Sequence, residues 1–250
     1  MHSHPRALVF DVDGTLADTE RFHLRAFNEA FVSEGLDWRW DPATYRRLLG
    51  ISGGKERMLA YWQEVRGGTI DIEGNAMRDL LDRVHVAKTA LYEAMVNDGL
   101  VPLRPGVQPL LEEAQRHGVA LAIATTTSPV NVAALLRRAF GPQWRLQFPV
   151  VCDASTAPRK KPHPQVYQQA LQRLDLPAQQ AIAFEDSANG LRAAMAAGMD
   201  VVITPTAFTQ HHDFGGALRV LPSLAGLTLD QLAGWRAERM EQRQEVGAAG

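Results

Sequence analysis

Two carboxylates one residue apart follow an apolar run in "ALVFDVDGTLADTE", residues 7–20. If the extended chain continues past Phe10, Asp11 and Asp13 point the same way, and like charges that close repel. A cation, or chemistry that uses both groups, accounts for the pair. Three later stretches supply complementary groups: the hydroxyls of Thr125, Thr126 and Thr127, the ammonium groups of "RKKPHP", and the carboxylates of Glu185 and Asp186. Brought to one crevice, these oxygens and an ammonium suit Mg²⁺, which takes one or two carboxylates, several waters and substrate phosphate.

Such groups converge only if the elements carrying them lie side by side. Short apolar runs at 7–10, 119–125, 149–153, 181–186 and 201–204 read as buried parallel strands. Between them lie helical patterns such as "GVQPLLEEAQRHG" and "PQVYQQALQRLDL", each stopping near a Gly or Pro. Alternation of this kind from residue 101 onward predicts an α/β fold, a Rossmann-like, doubly wound parallel sheet. In such sheets ligands bind beyond the carboxyl ends of the strands, where the polar groups fall. Residues 18–100 lack a comparable strand and carry long amphipathic stretches, so they read as an inserted all-helical cap. The core is then 1–17 and 101–250, with "GLVPLRPG" as the return linker. The tail from Thr228 carries a charged helical pattern and is expected to fray at "EVGAAG".

The chain has 250 residues, 46% hydrophobic and 22% charged, an ordinary balance for a globular protein. A net charge of -2 gives no general attraction to nucleic acid or to anionic membrane, so an anion site must be local. Cys152 is the one cysteine, which excludes an internal disulfide and fits a reducing compartment. With no secretory leader and no long apolar span, a cytoplasmic location is expected, and a monomer is the expected state.

"DVDGT", "TTT", "KKPHP" and "FEDSANG", in that order, resemble the four motifs of the haloacid-dehalogenase superfamily. The resemblance covers essentially the whole chain. Within the superfamily it is similar to the beta-phosphoglucomutase and phosphoglycolate phosphatase branch, and most of all to the CbbY-type sugar-bisphosphate phosphatases associated with carbon fixation. The resemblance implies Asp11 as nucleophile, forming an aspartyl-phosphate, and Asp13 as the acid and base. Thr125 would donate to the phosphoryl oxygens. Lys161, just before Pro162, would neutralise charge, in preference to its neighbour Lys160. Mg²⁺ would be held by Asp11, Asp186 and the main-chain carbonyl of Asp13, with Glu185 in support. Relatives that cleave carbon–halogen or phosphonate bonds lack the second Asp, so Asp13 points to phosphate esters.

For the cap, "LLGISGGKERML" sets Gly53 and Gly54 before Lys55 and Arg57, and a glycine-rich loop opening a helix can cradle an anion. The mutase pattern has an arginine soon after the "GxS" turn, whereas Ser52 here is followed by two glycines. Lys55 and Arg57 are therefore expected to grip a second phosphate. His23 matches a cap-hinge histidine of the mutase branch. Glu20, Tyr45, Arg78 and Lys88, together with Thr126 and Thr127, complete the expected substrate contacts. The reading is a Mg²⁺-dependent phosphatase of a small phosphorylated sugar, xylulose 1,5-bisphosphate being favoured by the resemblance. A phosphosugar mutase or phosphoglycolate phosphatase is the enzyme alternative, and a catalytically silent binding module the non-enzyme one.

Overall fold

The computed structural model describes residues 3–66 and 75–248. Its centre is a parallel sheet of β1 (Ala7–Phe10), β2 (Ala120–Ala124), β3 (Val150–Cys152), β4 (Ala181–Glu185), β5 (Asp200–Ile203) and β6 (Arg219–Val220). The spatial order is β3-β2-β1-β4-β5-β6. The five expected strands form, each within a residue or two of the apolar run that announced it. The sixth was not expected, because the two-residue β6 is too short to show a period; Leu218 and Leu221 donate backbone hydrogen bonds to β5 on either side of it.

Side chains alternate across each strand. Leu8, Phe10 and Val12 enter one buried cluster, and Ala7 and Val9 the other. Phe10 stacks on Phe184 at 4.6 Å between ring centroids. On the same face pack α5 (Val107–Arg116), α6 (Pro129–Phe140), the single turn α7 (Trp144–Gln147) and α10 (Leu229–Ala248). The opposite face is covered by α8 (Gln165–Leu174) and α9 (Ala188–Ala196). Helix α10 takes up the charged pattern of the tail and runs to Ala248, and the last two residues of "EVGAAG" lie outside the described residues.

Between β1 and α5 come α1 (Glu20–Ser33), α2 (Pro42–Leu48), α3 (Gly54–Arg66) and α4 (Asn75–Asn97). Residues 67–74 of the expected cap lie outside the described residues. These helices bury a cluster of their own, with Phe27, Phe31, Trp40, Tyr45, Leu48 and Met58 almost fully enclosed. Asn28 ties the irregular stretch before α2 to α1, donating to the carbonyl of Trp40 and accepting from its N–H, both at 2.8 Å. The two chain segments that join the helical block to the sheet run together. Ala17 bridges Leu103, the Asp18 N–H donates to the Pro102 carbonyl, and the Arg104 N–H donates to that of Leu16. Arg104 anchors this crossing to the sheet by donating to the carbonyls of Gly14, Thr204 and Pro205.

Candidate active site

β1 has β2 on one side and β4 on the other, so the crevice beyond its carboxyl end is the switch point of the sheet, where α/β folds bind ligands. A cavity opens there between the sheet and the helical block. The chain leaves β1 through Asp11 and Asp13 and turns at Gly14, whose φ of +75° is left-handed. A Cβ at Gly14 would come within 2.4 Å of Asp186 Oδ2, so only glycine lets the turn pass this carboxylate.

Lys161 is buried and points back under β1. Its Nζ donates to Asp11 at 2.6 Å, to Glu185 Oε1 at 2.5 Å and to the carbonyl of Ala124 at 2.9 Å. Lys160 points elsewhere, to Glu56 at the start of α3. Glu185 is gripped on every side: it also accepts from the hydroxyl of Tyr167 at 2.6 Å and the N–H of Asp186 at 3.2 Å. Asp11, Glu185 and Asp186 each offer an oxygen within 4.8 Å of the others.

Burial pushes Asp11 up to about 7 against the pull of Lys161, with Glu185 and Asp13 adding to the rise. Burial, then Glu185 and Asp11, hold Asp186 well above the usual carboxylate range. For Lys161, burial favours the neutral amine, but Asp11 and Glu185 outweigh it and keep the ammonium above its ordinary value. Three enclosed carboxylates against one ammonium form a donor set that a hard divalent cation fits, since it offsets the repulsion that raises them.

The carboxylate of Asp13 faces away from this cluster. Its Oδ1 lies 2.8 Å from His23 Nε2 and its Oδ2 accepts from the hydroxyl of Thr127. Burial would raise its pKa, yet His23 and Thr127 together hold it well below the usual range. On the far side of the ring, Lys88 Nζ sits 2.9 Å from His23 Nδ1. An ammonium only donates, so Nδ1 accepts and the ring proton is on Nε2, aimed at Asp13. His23 also stacks on Tyr92, 4.0 Å between centroids.

The other expected residues divide. Glu20, Gly53, Gly54, Arg57, Thr125 and Thr126 line the cavity. Tyr45 does not: it is fully buried and donates to Glu20 at 2.6 Å, so it braces a cavity residue from behind. Lys55 departs from the expectation of a phosphate grip. It is half-exposed and paired with Asp82 at 2.5 Å, because α3 turns it toward α4 while Arg57 faces inward. Arg78 is exposed on α4 and lines no part of the cavity.

Ser128, Asn131, His85, Ser187 and Asn189 also line it and were missed. His85 was findable: one turn before Lys88 on α4, it shares that residue's face. Asn189 stands inside the quoted "FEDSANG". Asn131 carried no signal, as its Oδ1 becomes a buried atom without a partner only in the tertiary structure.

The haloacid dehalogenase-like hydrolase model matches residues 5–198, which include Asp11, Asp13, Thr125, Lys161, Glu185 and Asp186. The chain belongs to that family. It is accordingly an enzyme, a phosphatase. It is 52% identical to the plasmid-encoded protein CbbY of Cupriavidus necator over 219 residues, 88% of this chain and 85% of the relative. Among solved structures it is similar to CbbY from Rhodobacter sphaeroides in complex with xylulose-(1,5)bisphosphate, at 44% identity and a TM-score of 0.83, covering 90% of this chain and 98% of that one. Similarity to beta-phosphoglucomutase from Clostridium difficile, at 20% identity and a TM-score of 0.76 over 94% and 99% of the chains, is a likeness of fold. No described helix is long and apolar enough to cross a membrane.

Proposed function

We propose that this hydrolase releases phosphate from a small phosphorylated sugar through an aspartyl-phosphate on Asp11, with a ketopentose bisphosphate such as xylulose 1,5-bisphosphate as its substrate. The observation that carries the chemistry is the pairing of Asp11 with Lys161 at 2.6 Å on the cavity floor, beside an Asp13 whose carboxylate is held apart from theirs. The substrate class is supported by the CbbY relative crystallised with xylulose-(1,5)bisphosphate. A mutase is disfavoured at the Ser52 turn, where glycines replace the expected arginine.

Asp11 Oδ attacks phosphorus as the bond to the sugar oxygen breaks, and Asp13 delivers its proton to that oxygen. Asp13 then takes a proton from water as the water attacks the aspartyl-phosphate, releasing phosphate and restoring Asp11. His23 and Thr127 hold Asp13 in its basic form, which suits the second half. In the first half, the negative charge of an arriving ester opposes that pull and favours the protonated form. Lys161 offsets charge on Asp11 and on the phosphoryl oxygens, and Thr125 donates to them. Mg²⁺ held by Asp11, Asp186 and Glu185, with the main-chain carbonyl of Asp13, would supply further charge stabilisation. Arg57, Gly53 and Gly54 receive the far end of the substrate.

Phosphate release from a panel of sugar mono- and bisphosphates, with Asp11→Asn as the blank, tests the reading. The bisphosphate is expected to give the largest kcat/KM. Retained turnover in folded Asp11→Asn contradicts the nucleophile. A preference for phosphoglycolate, or conversion of a sugar monophosphate to its isomer, contradicts the substrate.

A further inference from the structure

Asn189 lies in the first turn of α9, just past the Ser187 cap, and is 8% exposed. Its Nδ2 donates to the carbonyl of Gly50 at 2.9 Å and to the hydroxyl oxygen of Ser52 at 3.2 Å. Both belong to the loop between α2 and α3, on the helical side of the cavity. Its Oδ1 accepts from Arg192 at 2.5 Å, one turn along its own helix. An amide side chain can be placed either way round, but a guanidinium has only donors. Oδ1 must therefore face Arg192, which leaves the NH₂ group to face the loop. Exposed Arg192 thus sets the orientation of a nearly buried neighbour.

The turn that carries Asn189 also holds the reacting end. Gly190 packs so closely on Glu185 that a Cβ there would lie 1.9 Å from its carboxylate. The loop reached by Asn189 brings Gly53 and Gly54 to the cavity, with Arg57 directly behind on α3. One helical turn therefore ties the carboxylates under the phosphoryl site to the loop that meets the other end of the substrate. Other ties between the two sides lie elsewhere in the cavity or at its edge, His23 on Asp13 among them. Lys160 and Glu56 pair through partly exposed side chains, and Phe208 sets its edge on Tyr45 at 5.7 Å.

We infer that Asn189, oriented by Arg192, is a positioning residue that latches the Gly50–Gly54 loop over the cavity when the helical block closes on the sheet. Two neutral hydrogen bonds shift such an equilibrium by about tenfold. The kinetic part of the test rests on the phosphatase reading above; the exchange part does not.

In Asn189→Ala, kcat/KM for xylulose 1,5-bisphosphate is expected to fall about tenfold, and by more than kcat/KM for para-nitrophenyl phosphate, which has no second phosphate for the loop to meet. Backbone amide exchange across residues 50–58 is expected to quicken severalfold. Arg192→Leu, at an exposed position that tolerates change, should move both readouts the same way by a smaller factor, and should add nothing to Asn189→Ala. It also carries the test should Asn189→Ala fail to fold. Loop exchange unchanged in both variants overturns the latch. So does an equal loss on both substrates, which would place Asn189 at the reacting end. A wild type that releases phosphate only from para-nitrophenyl phosphate would refute the substrate reading, leaving loop exchange to decide the latch.

Discussion

The imidazole of His23 joins Asp13 on one side, at 2.8 Å, to Lys88 on the other, at 2.9 Å. The helical block thereby controls the tautomer of a histidine that controls a carboxylate of the sheet. Lys88→Met removes the donor to Nδ1 and frees the ring to present either nitrogen. The expected outcome is a ten- to hundredfold loss in kcat/KM with the fold retained, read by steady-state kinetics alongside circular dichroism. Activity near wild type would show that Asp13 needs no such alignment.

The same lysine gives a pH dependence. Burial lowers Lys88 from 10.5 to about 8, so the ammonium is present below that pH and is lost above it. Wild-type kcat/KM is expected to decline as pH rises through about 8, and Lys88→Met should lack that limb. Stability runs the other way. Between about 8 and 10.5 the native chain binds fewer protons than the unfolded one, so this group's contribution improves with rising pH. Parallel pH–rate and pH–melting profiles check both signs.

Arg57 and Lys55 provide a paired test of the cap. Lys55 sits in a surface ion pair with Asp82, an interaction worth about 0–1 kcal/mol. Lys55→Ala should leave kcat/KM for a sugar bisphosphate within about twofold. Arg57 lines the cavity, its Nε donating to the carbonyl of Ile51 at 2.8 Å. A charge-assisted contact to phosphate is worth about 1.5–3 kcal/mol, so Arg57→Ala should cost roughly ten- to a hundredfold. The reverse ranking would restore Lys55 as the grip.

A divalent cation should stabilise the fold as well as serve the reaction. Mg²⁺ at about a hundred times its Kd contributes about 2.7 kcal/mol, roughly 5–10 °C in Tm for a chain of this size. Thermal unfolding with Mg²⁺ and with chelator should show that difference in the wild type and little of it in Asp186→Asn. A wild-type Tm indifferent to the ion would speak against a metal at Asp11, Glu185 and Asp186.

Two glycine substitutions should diverge. Gly190→Ala forces a methyl onto the carboxylate of Glu185 and so disturbs its hold on Lys161. Overpacking of this kind costs about 1–3 kcal/mol, so both Tm and turnover should fall. Gly234→Ala, in α10 with open space around it, should be neutral or raise stability by about 0.5–1 kcal/mol through helix propensity. Matching melting temperatures for the two would contradict the packing beneath Glu185.

The sequence by itself determined five of the six strands and where they end, because buried parallel strands are nearly continuous apolar runs and the polar residues that stop them stand out. It also singled out Asp11, Asp13, Glu185 and Asp186, which stand at strand ends, whereas Lys161 was preferred to Lys160 only through the family resemblance. Tertiary structure decided what lies across the cavity from them. On an amphipathic helix, spacing names the polar face but not which of its members turns inward, so Lys55 and Arg57 were indistinguishable until α3 was packed against α4. Tyr45 read as a contact and proved to be a brace. Asn189, lying in a recognised motif, showed its reach only when a loop 139 residues earlier came within hydrogen-bond distance. Contacts between distant segments depend on how two buried cores dock, and no local period records that.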